Sequence, residues 1–162
     1  MTEDIRFATE GALGCVTLDR PKALNALTLD MCRKFDDRLM AWQSDAAVRA
    51  VLVRASPGSR AFCAGGDIRQ VWEAARAGEP YSADFFWDEY TLDWRIHHFP
   101  KPYVALIDGI TMGGGVGISV LGSFRVASER TRLAMPETGI GFFADVGATY
   151  VLPRLPGELG LY

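Results

Sequence analysis

Residues 103–145 constrain this chain more than any other stretch. Tyr103-Val104-Ala105-Leu106-Ile107-Asp108 is an apolar run that reads as a strand, and it leads into Gly109-Ile110-Thr111-Met112-Gly113-Gly114-Gly115-Val116-Gly117. Consecutive glycines opening a short, nearly all-apolar helix, Gly114 to about Leu121, leave bare backbone N–H groups. Such groups can stabilise negative charge on a reacting oxygen. Two carboxylates follow in apolar, Gly-rich settings: Glu137 in Met-Pro-Glu-Thr-Gly and Asp145 in Phe-Phe-Ala-Asp-Val-Gly. A Gly-rich helix start followed by paired acids points to acyl-transfer or enolate chemistry.

A second Gly-rich loop, Ala64-Gly65-Gly66-Asp67, is expected to follow a strand and precede a helix in the same way. Two such loops can each aim an N–H at one carbonyl oxygen, and glycine permits the close approach. The plainer reading of either loop is a tight turn or close helix–strand packing. A phosphate-binding loop would need Gly-Lys-Ser/Thr after the glycines, which is absent. A dinucleotide fingerprint fails too, because Ile118 stands where its final glycine would be.

The rest of the chain alternates strands and helices. Ile5–Thr9 and Gly14–Leu18 alternate in polarity and read as a hairpin or two early strands. The segment 20–27 is a loop. Thr28 is placed to cap a helix in which Met31, Phe35, Leu39 and Trp42 recur at helical spacing. Ala50–Ala55 reads as a buried parallel strand and 56–59 as a turn. One helix is expected from Ile68 to a stop at Gly78, and another from a Ser82 cap to about Phe99. On this second helix Phe85, Leu92 and Ile96 form an apolar stripe, and Glu89 lies on it. Spacing alone favours a glutamate at the stripe's edge reaching water, since a buried carboxylate is costly without a partner. Strands at Phe124–Ala127 and Leu133–Met135, and a helix from Asp145 to Pro153, complete an α/β pattern with crossover connections.

Composition narrows the function. The 162 residues are 49% hydrophobic, enough for one domain with a core, and the net charge of −3 includes no basic stripe for nucleic acid. Cys15, Cys32 and Cys63 form no CxxC pair and read as reduced thiols of a cytoplasmic protein. His97 and His98 are adjacent, so no metal site is expected. The first residues carry neither a signal nor a transit pattern, and no apolar run reaches the ~18 residues of a membrane span. The apolar ending Leu155–Tyr162 reads either as the start of a further element or as a tail docked on the domain.

Ala61-Phe62-Cys63-Ala64-Gly65-Gly66-Asp67-Ile68 and Gly113-Gly114-Gly115-Val116-Gly117 resemble the two signatures of the crotonase (enoyl-CoA hydratase/isomerase) superfamily. Arg20-Pro21-Lys22-Ala23-Leu24-Asn25-Ala26-Leu27 resembles its early coenzyme A-contacting loop. The resemblance implies an α/β fold over residues 1–162: a ββα spiral core that binds an acyl-CoA, with the C-terminal helical region absent. It implies that the Gly66 and Gly114 N–H groups polarise the thioester carbonyl. Ala64, Asp67, Ile68, Lys22 and Ala23 would contact the substrate. Coenzyme A enters as part of that substrate, with no separate cofactor. A homo-oligomer, or a chain supplying the missing region, is the expected assembly.

The acids separate the branches of the superfamily. Hydratases carry two glutamates, and the place of the first is taken here by Gly117, while the second matches Glu137. The segments Gly109–Gly117 and Met135–Gly147 instead resemble the thioester-hydrolase branch that cleaves 3-hydroxyisobutyryl-CoA in valine breakdown. That branch's functional residues fall on Glu89, Gly114, Glu137 and Asp145. By this resemblance Glu137 acts as nucleophile or general base, Asp145 positions water or substrate hydroxyl, and Glu89 orients the hydroxyl end or tunes the other acids. A hydratase or isomerase using Glu137 alone, and an inactive acyl-CoA-binding piece, remain the alternatives. For Glu137 by itself, a strand-end carboxylate in a salt bridge is the plain structural reading.

Overall fold

The computed structural model describes residues 3–157 and 160. Among these residues eight strands form two sheets. The larger contains β1 (Ile5–Glu10), β2 (Leu13–Leu18), β3 (Ala50–Ala55), β5 (Tyr103–Ile107) and β7 (Phe124–Ala127), paired in that spatial order. Only the β1–β2 hairpin is antiparallel; β2, β3, β5 and β7 run parallel. The smaller sheet holds β4 (Ala61–Cys63), β6 (Ile110–Met112) and β8 (Arg132–Ala134), all parallel.

The two sheets are linked strand by strand. β3 leads to β4, β5 to β6 and β7 to β8, each pair stepping from the large sheet to the small one. The step from β5 to β6 turns at Gly109, where φ is +85° and a Cβ would lie 2.9 Å from the Arg60 carbonyl carbon, so only glycine fits. Helical segments follow: α2 (Ile68–Ala77) and α3 (Tyr81–His97) after β4, α4 (Gly114–Val120) after β6, and a 3-10 turn at Glu137–Ile140 after β8. This is the expected repetition of ββα units, built as a spiral.

The first helix, α1 (Leu29–Ser44), follows its sequence signals closely. Thr28 Oγ1 accepts a hydrogen bond from the Met31 N–H at 3.2 Å, and Met31, Phe35, Leu39 and Trp42 are all buried. Gly78 ends α2 in the left-handed conformation. Residues 5–118 contribute to a shared hydrophobic cluster that includes Phe35, Phe62, Phe85 and Tyr103.

Three expectations are corrected. α3 begins at Tyr81 behind Pro80, not behind a Ser82 cap; the Ser82 hydroxyl instead donates to the Val71 carbonyl at 2.8 Å, tying α3 to α2. The helix expected from Asp145 starts at α5 (Ala148–Val151) and passes into a 3-10 turn at Leu152–Arg154. Val146 at φ +44° and Gly147 at φ +80° turn the chain just before it, which holds Asp145 outside the helix. The segment from Tyr103 to Gly113 holds two strands on different sheets, where only the first was expected. The ending Leu155–Tyr162 lies partly outside the described residues.

Candidate active site

The three strands of the small sheet are parallel, so their C-terminal ends open on the same side. Ala64–Gly66 follow β4, Gly113–Gly114 follow β6, and Pro136–Glu137 follow β8. Equivalent positions in three successive units therefore converge, as ligand sites do at the carboxyl ends of parallel strands. Together with α3 they enclose a cavity of about 310 Å³ whose lining includes Gly66, Glu89, Gly114, Glu137, Phe142 and Asp145.

The loop 20–27 braces the first of these ends. Asn25, fully buried at φ +56°, donates from Nδ2 to the Ala61 and Phe62 carbonyls and accepts from the Arg20 N–H. The Leu27 N–H donates to the Gly65 carbonyl and the Asp67 N–H to the Leu27 carbonyl, both at 2.8 Å. The two glycine loops then touch: a Cβ on Gly65 would lie 3.7 Å from the Gly114 nitrogen. Among the described residues no backbone carbonyl accepts from the Gly66 or Gly114 N–H. For Gly114 this follows from its place at the start of α4.

Three carboxyl groups enter the cavity. Glu89 comes from α3 and is 3% exposed, with Oε1 unpartnered among the described residues. Burial, and then the charges of Asp145 and Glu137, push its pKa up to about 8. Its Oε1 occupies the space a side chain on Gly114 would need. Glu137, 9% exposed with Oε2 unpartnered, is also raised, chiefly by burial. Its Oε1 lies 2.8 Å from where a Cβ on Gly113 would stand. The half-buried Asp145 accepts at Oδ2 from the Tyr90 hydroxyl at 2.6 Å. No salt bridge takes up Glu137 among the described residues, so the plain structural reading of that acid has no support.

Ala64 and Ile68 also line the cavity, whereas Asp67, Lys22 and Ala23 do not. Asp67 caps α2 through the Gln70 N–H and pairs with Arg20 at 2.8 Å, so its carboxylate is committed to the fold. Lys22 and Ala23 lie in a short 3-10 turn, Lys22 exposed and Ala23 half-buried. The sequence reading missed Tyr90, whose partner stands 55 positions away, and the wall formed by Phe86 stacked on Phe142 at 5.5 Å. It also missed Asp93, although that residue lies one turn from Glu89 on the same stripe. The edge-of-stripe reading of Glu89 is corrected: Phe85 and Leu92 flank it in the core, and it does not reach water.

Comparison with known proteins agrees with this architecture. The pattern of the family described as enoyl-CoA hydratase/isomerase matches residues 13–162. Among curated relatives, a mitochondrial 3-hydroxyisobutyryl-CoA hydrolase of Xenopus tropicalis is 59% identical over 94% of this chain and 39% of its own length. The Homo sapiens protein of that name is 50% identical over 99% of this chain and 41% of its own. The chain thus spans about two-fifths of such relatives. Among solved structures, a carnitinyl-CoA dehydratase from Mycobacterium thermoresistibile superposes with a TM-score of 0.94 at 49% identity, covering 99% of this chain and 47% of that one. An enoyl-CoA hydratase from Rhodobacter sphaeroides 2.4.1 gives 0.92 at 42% identity, covering 98% and 47%. The ββα spiral, the two glycine loops and these likenesses together make the chain a member of the enoyl-CoA hydratase/isomerase (crotonase) family.

Proposed function

We propose that the protein hydrolyses an acyl-CoA thioester, with 3-hydroxyisobutyryl-CoA as the substrate. One observation carries the reading: Glu89, Glu137 and Asp145 share a cavity with the free N–H groups of Gly66 and Gly114. The two N–H groups hold the thioester oxygen as it gains charge. Glu137, with an unpartnered Oε2, attacks the acyl carbon or takes a proton from water. Asp145, oriented by Tyr90, positions the water or the substrate hydroxyl. Glu89 is protonated at neutral pH and donates to the hydroxyl end of the acyl group. Coenzyme A enters only as part of the substrate. The names of the curated relatives at 50–59% identity support the hydrolase branch.

A second reading, hydration or isomerisation by Glu137 alone, is favoured by the names of the two solved neighbours. Free, buried Cys15, Cys32 and Cys63 suit a reducing compartment, and the proposal places the protein in the cytoplasm; "mitochondrial" belongs to the relatives' names.

The test is thiol release from 3-hydroxyisobutyryl-CoA beside hydration of crotonyl-CoA. It is run on the longest natural polypeptide carrying this sequence and on its Glu137→Gln and Asp145→Asn variants. Thiol release without hydration, lowered roughly 10²-fold or more by either substitution, is expected. Hydration without thiol release, or full activity in both variants, refutes the assignment.

A further inference from the structure

A second cavity, of about 490 Å³, adjoins the first, and Asp145 lines both. Its walls are largely apolar and include Trp94, Leu121, Phe143, Val146 and Tyr150. What divides the two cavities is aromatic. Phe86 and Phe142 line the smaller one, and Tyr90 and Phe143 line the larger. Between ring centroids, Phe86 lies 5.9 Å from Tyr90 and Phe142 lies 4.6 Å from Phe143. Phe86 and Phe142 also stack on each other, at 5.5 Å and 21°. Four rings, two lining each cavity, thus form a partition, and the Tyr90 hydroxyl ties it to Asp145.

The partition is held from two sides. Phe86 leaves α3 one turn before Glu89, packs against the buried cluster and meets the Phe85 ring edge-on at 5.6 Å. The Phe142 N–H donates to the Glu137 carbonyl at 3.0 Å, and Asp145 follows three residues later. The stack therefore joins α3 to the segment between the two acids. Rings packed in this way yield only at a cost. The smaller cavity also has an outer and an inner end. Ile68 and Ile140 line it and are 42% and 63% exposed, whereas Glu89 and Phe85 are buried and Phe86 and Phe142 half-buried. With the thioester oxygen on Gly66 and Gly114, coenzyme A cannot fit within about 310 Å³, so its arm leaves past the exposed rim. The acyl chain is left with the inner end, where the partition stands.

Resting on the hydrolase reading, we propose that the Phe86–Phe142 stack determines specificity: it is a stop that admits short acyl groups and turns away longer ones. A short, branched group such as 3-hydroxyisobutyryl ends before the rings. A longer straight chain reaches the larger cavity only through them. Fit in an apolar pocket discriminates by about tenfold or more per misplaced methylene, so an extension of several carbons is strongly rejected. Trimming the stack opens the partition. The apolar walls beyond it then receive the tail of a longer chain, which gains by leaving water.

The experiment measures kcat/KM for thiol release from 3-hydroxyisobutyryl-CoA and from 3-hydroxyoctanoyl-CoA. It uses the longest natural polypeptide carrying this sequence and its Phe142→Ala and Phe142→Leu variants. Wild type is expected to favour the short substrate by about tenfold or more. Phe142→Ala should raise the ratio of long to short kcat/KM by about tenfold or more, and Phe142→Leu, which keeps part of the wall, by about threefold. A general loss of stability or of catalytic geometry lowers both substrates together and leaves the ratio alone, so the ratio separates a stop from a merely structural ring. An unchanged ratio in Phe142→Ala overturns the proposal. If that variant does not fold, an unchanged ratio in Phe142→Leu does so. A wild type that hydrolyses the long substrate as well as the short one, or better, also overturns it and leaves the hydrolase reading standing. A wild type that releases thiol from neither overturns the hydrolase reading and this proposal with it.

Discussion

At Glu89 a carboxyl that water would ionise is carried into a site where it is 3% exposed and faces two further acids. The consequence for stability has a definite sign. The folded pKa, about 8, lies above the unfolded value of about 4.5. Between those limits the folded state binds more protons than the unfolded one, so stability falls as pH rises from about 4.5 to about 8 and then levels off. Glu89→Gln removes this contribution. The loss of stability between pH 5 and pH 8 should therefore be smaller in Glu89→Gln than in wild type, by roughly 2–4 kcal/mol. Urea midpoints of both proteins at the two pH values measure it. An equal pH dependence in the two proteins would show that Glu89 titrates as an ordinary surface acid. The sequence exposed Glu89 only through resemblance, because a helical stripe says which face a residue lies on and not what covers that face. Glu137 and Asp145 stood out more readily, since both lie in short Gly-rich segments that the fold must turn through.

The long helices could be read element by element; of the short strands, those ending near Cys63 and Ala134 were expected and Ile110–Met112 was not. The span Leu29–Ser44 announces itself by a capping threonine and four apolar residues in register, and Ile68–Ala77 by its closing glycine. The small sheet is built from strands of three residues, shorter than one full cycle of in-and-out alternation needs to be recognised. The segment Ile110–Met112 was therefore hidden, and with it the step between sheets that repeats the same site position three times. The glycines after these strands serve packing as well as chemistry. A Cβ on Gly115 would collide with the Cys63 carbonyl oxygen and lie 2.9 Å from its carbon, both backbone atoms of β4 that cannot step aside. Gly139 meets nothing within 4 Å. Gly115→Ala should thus destabilise the protein by about 2–3 kcal/mol, as overpacking does, while Gly139→Ala stays within about 0.5 kcal/mol of wild type. Comparing chemical denaturation midpoints of the two variants checks this. Equal effects would mean that α4 does not press on β4 as described.

Across the whole molecule the site and the surface have opposite characters. The acids are buried, while large aromatic side chains stand outside: Trp87 is 75% exposed, Trp94 59% and Phe143 60%. Trp87 and Trp94 come from the outer side of the same helix whose inner side carries Glu89 and Asp93, so α3 has apolar surface on two faces. Tyr150 adds to this region beside the larger cavity. Contiguous apolar surface beyond a few hundred Å² is uncommon on monomers that remain monomers. The net charge of −3 is small, so electrostatic repulsion between copies is a weak counterweight. The 162-residue chain alone is therefore expected to associate as its concentration rises and to bind a hydrophobic dye at this face. Replacing both exposed tryptophans, Trp87→Ser with Trp94→Ser, should lower both signals severalfold and leave thermal stability nearly unchanged, because neither side chain belongs to the buried cluster. Light scattering across a concentration series, with dye fluorescence on the same samples, makes the measurement. A wild-type chain that stays monomeric and dark to the dye would mean that these rings are shielded by one another, and that the face is not a surface for association.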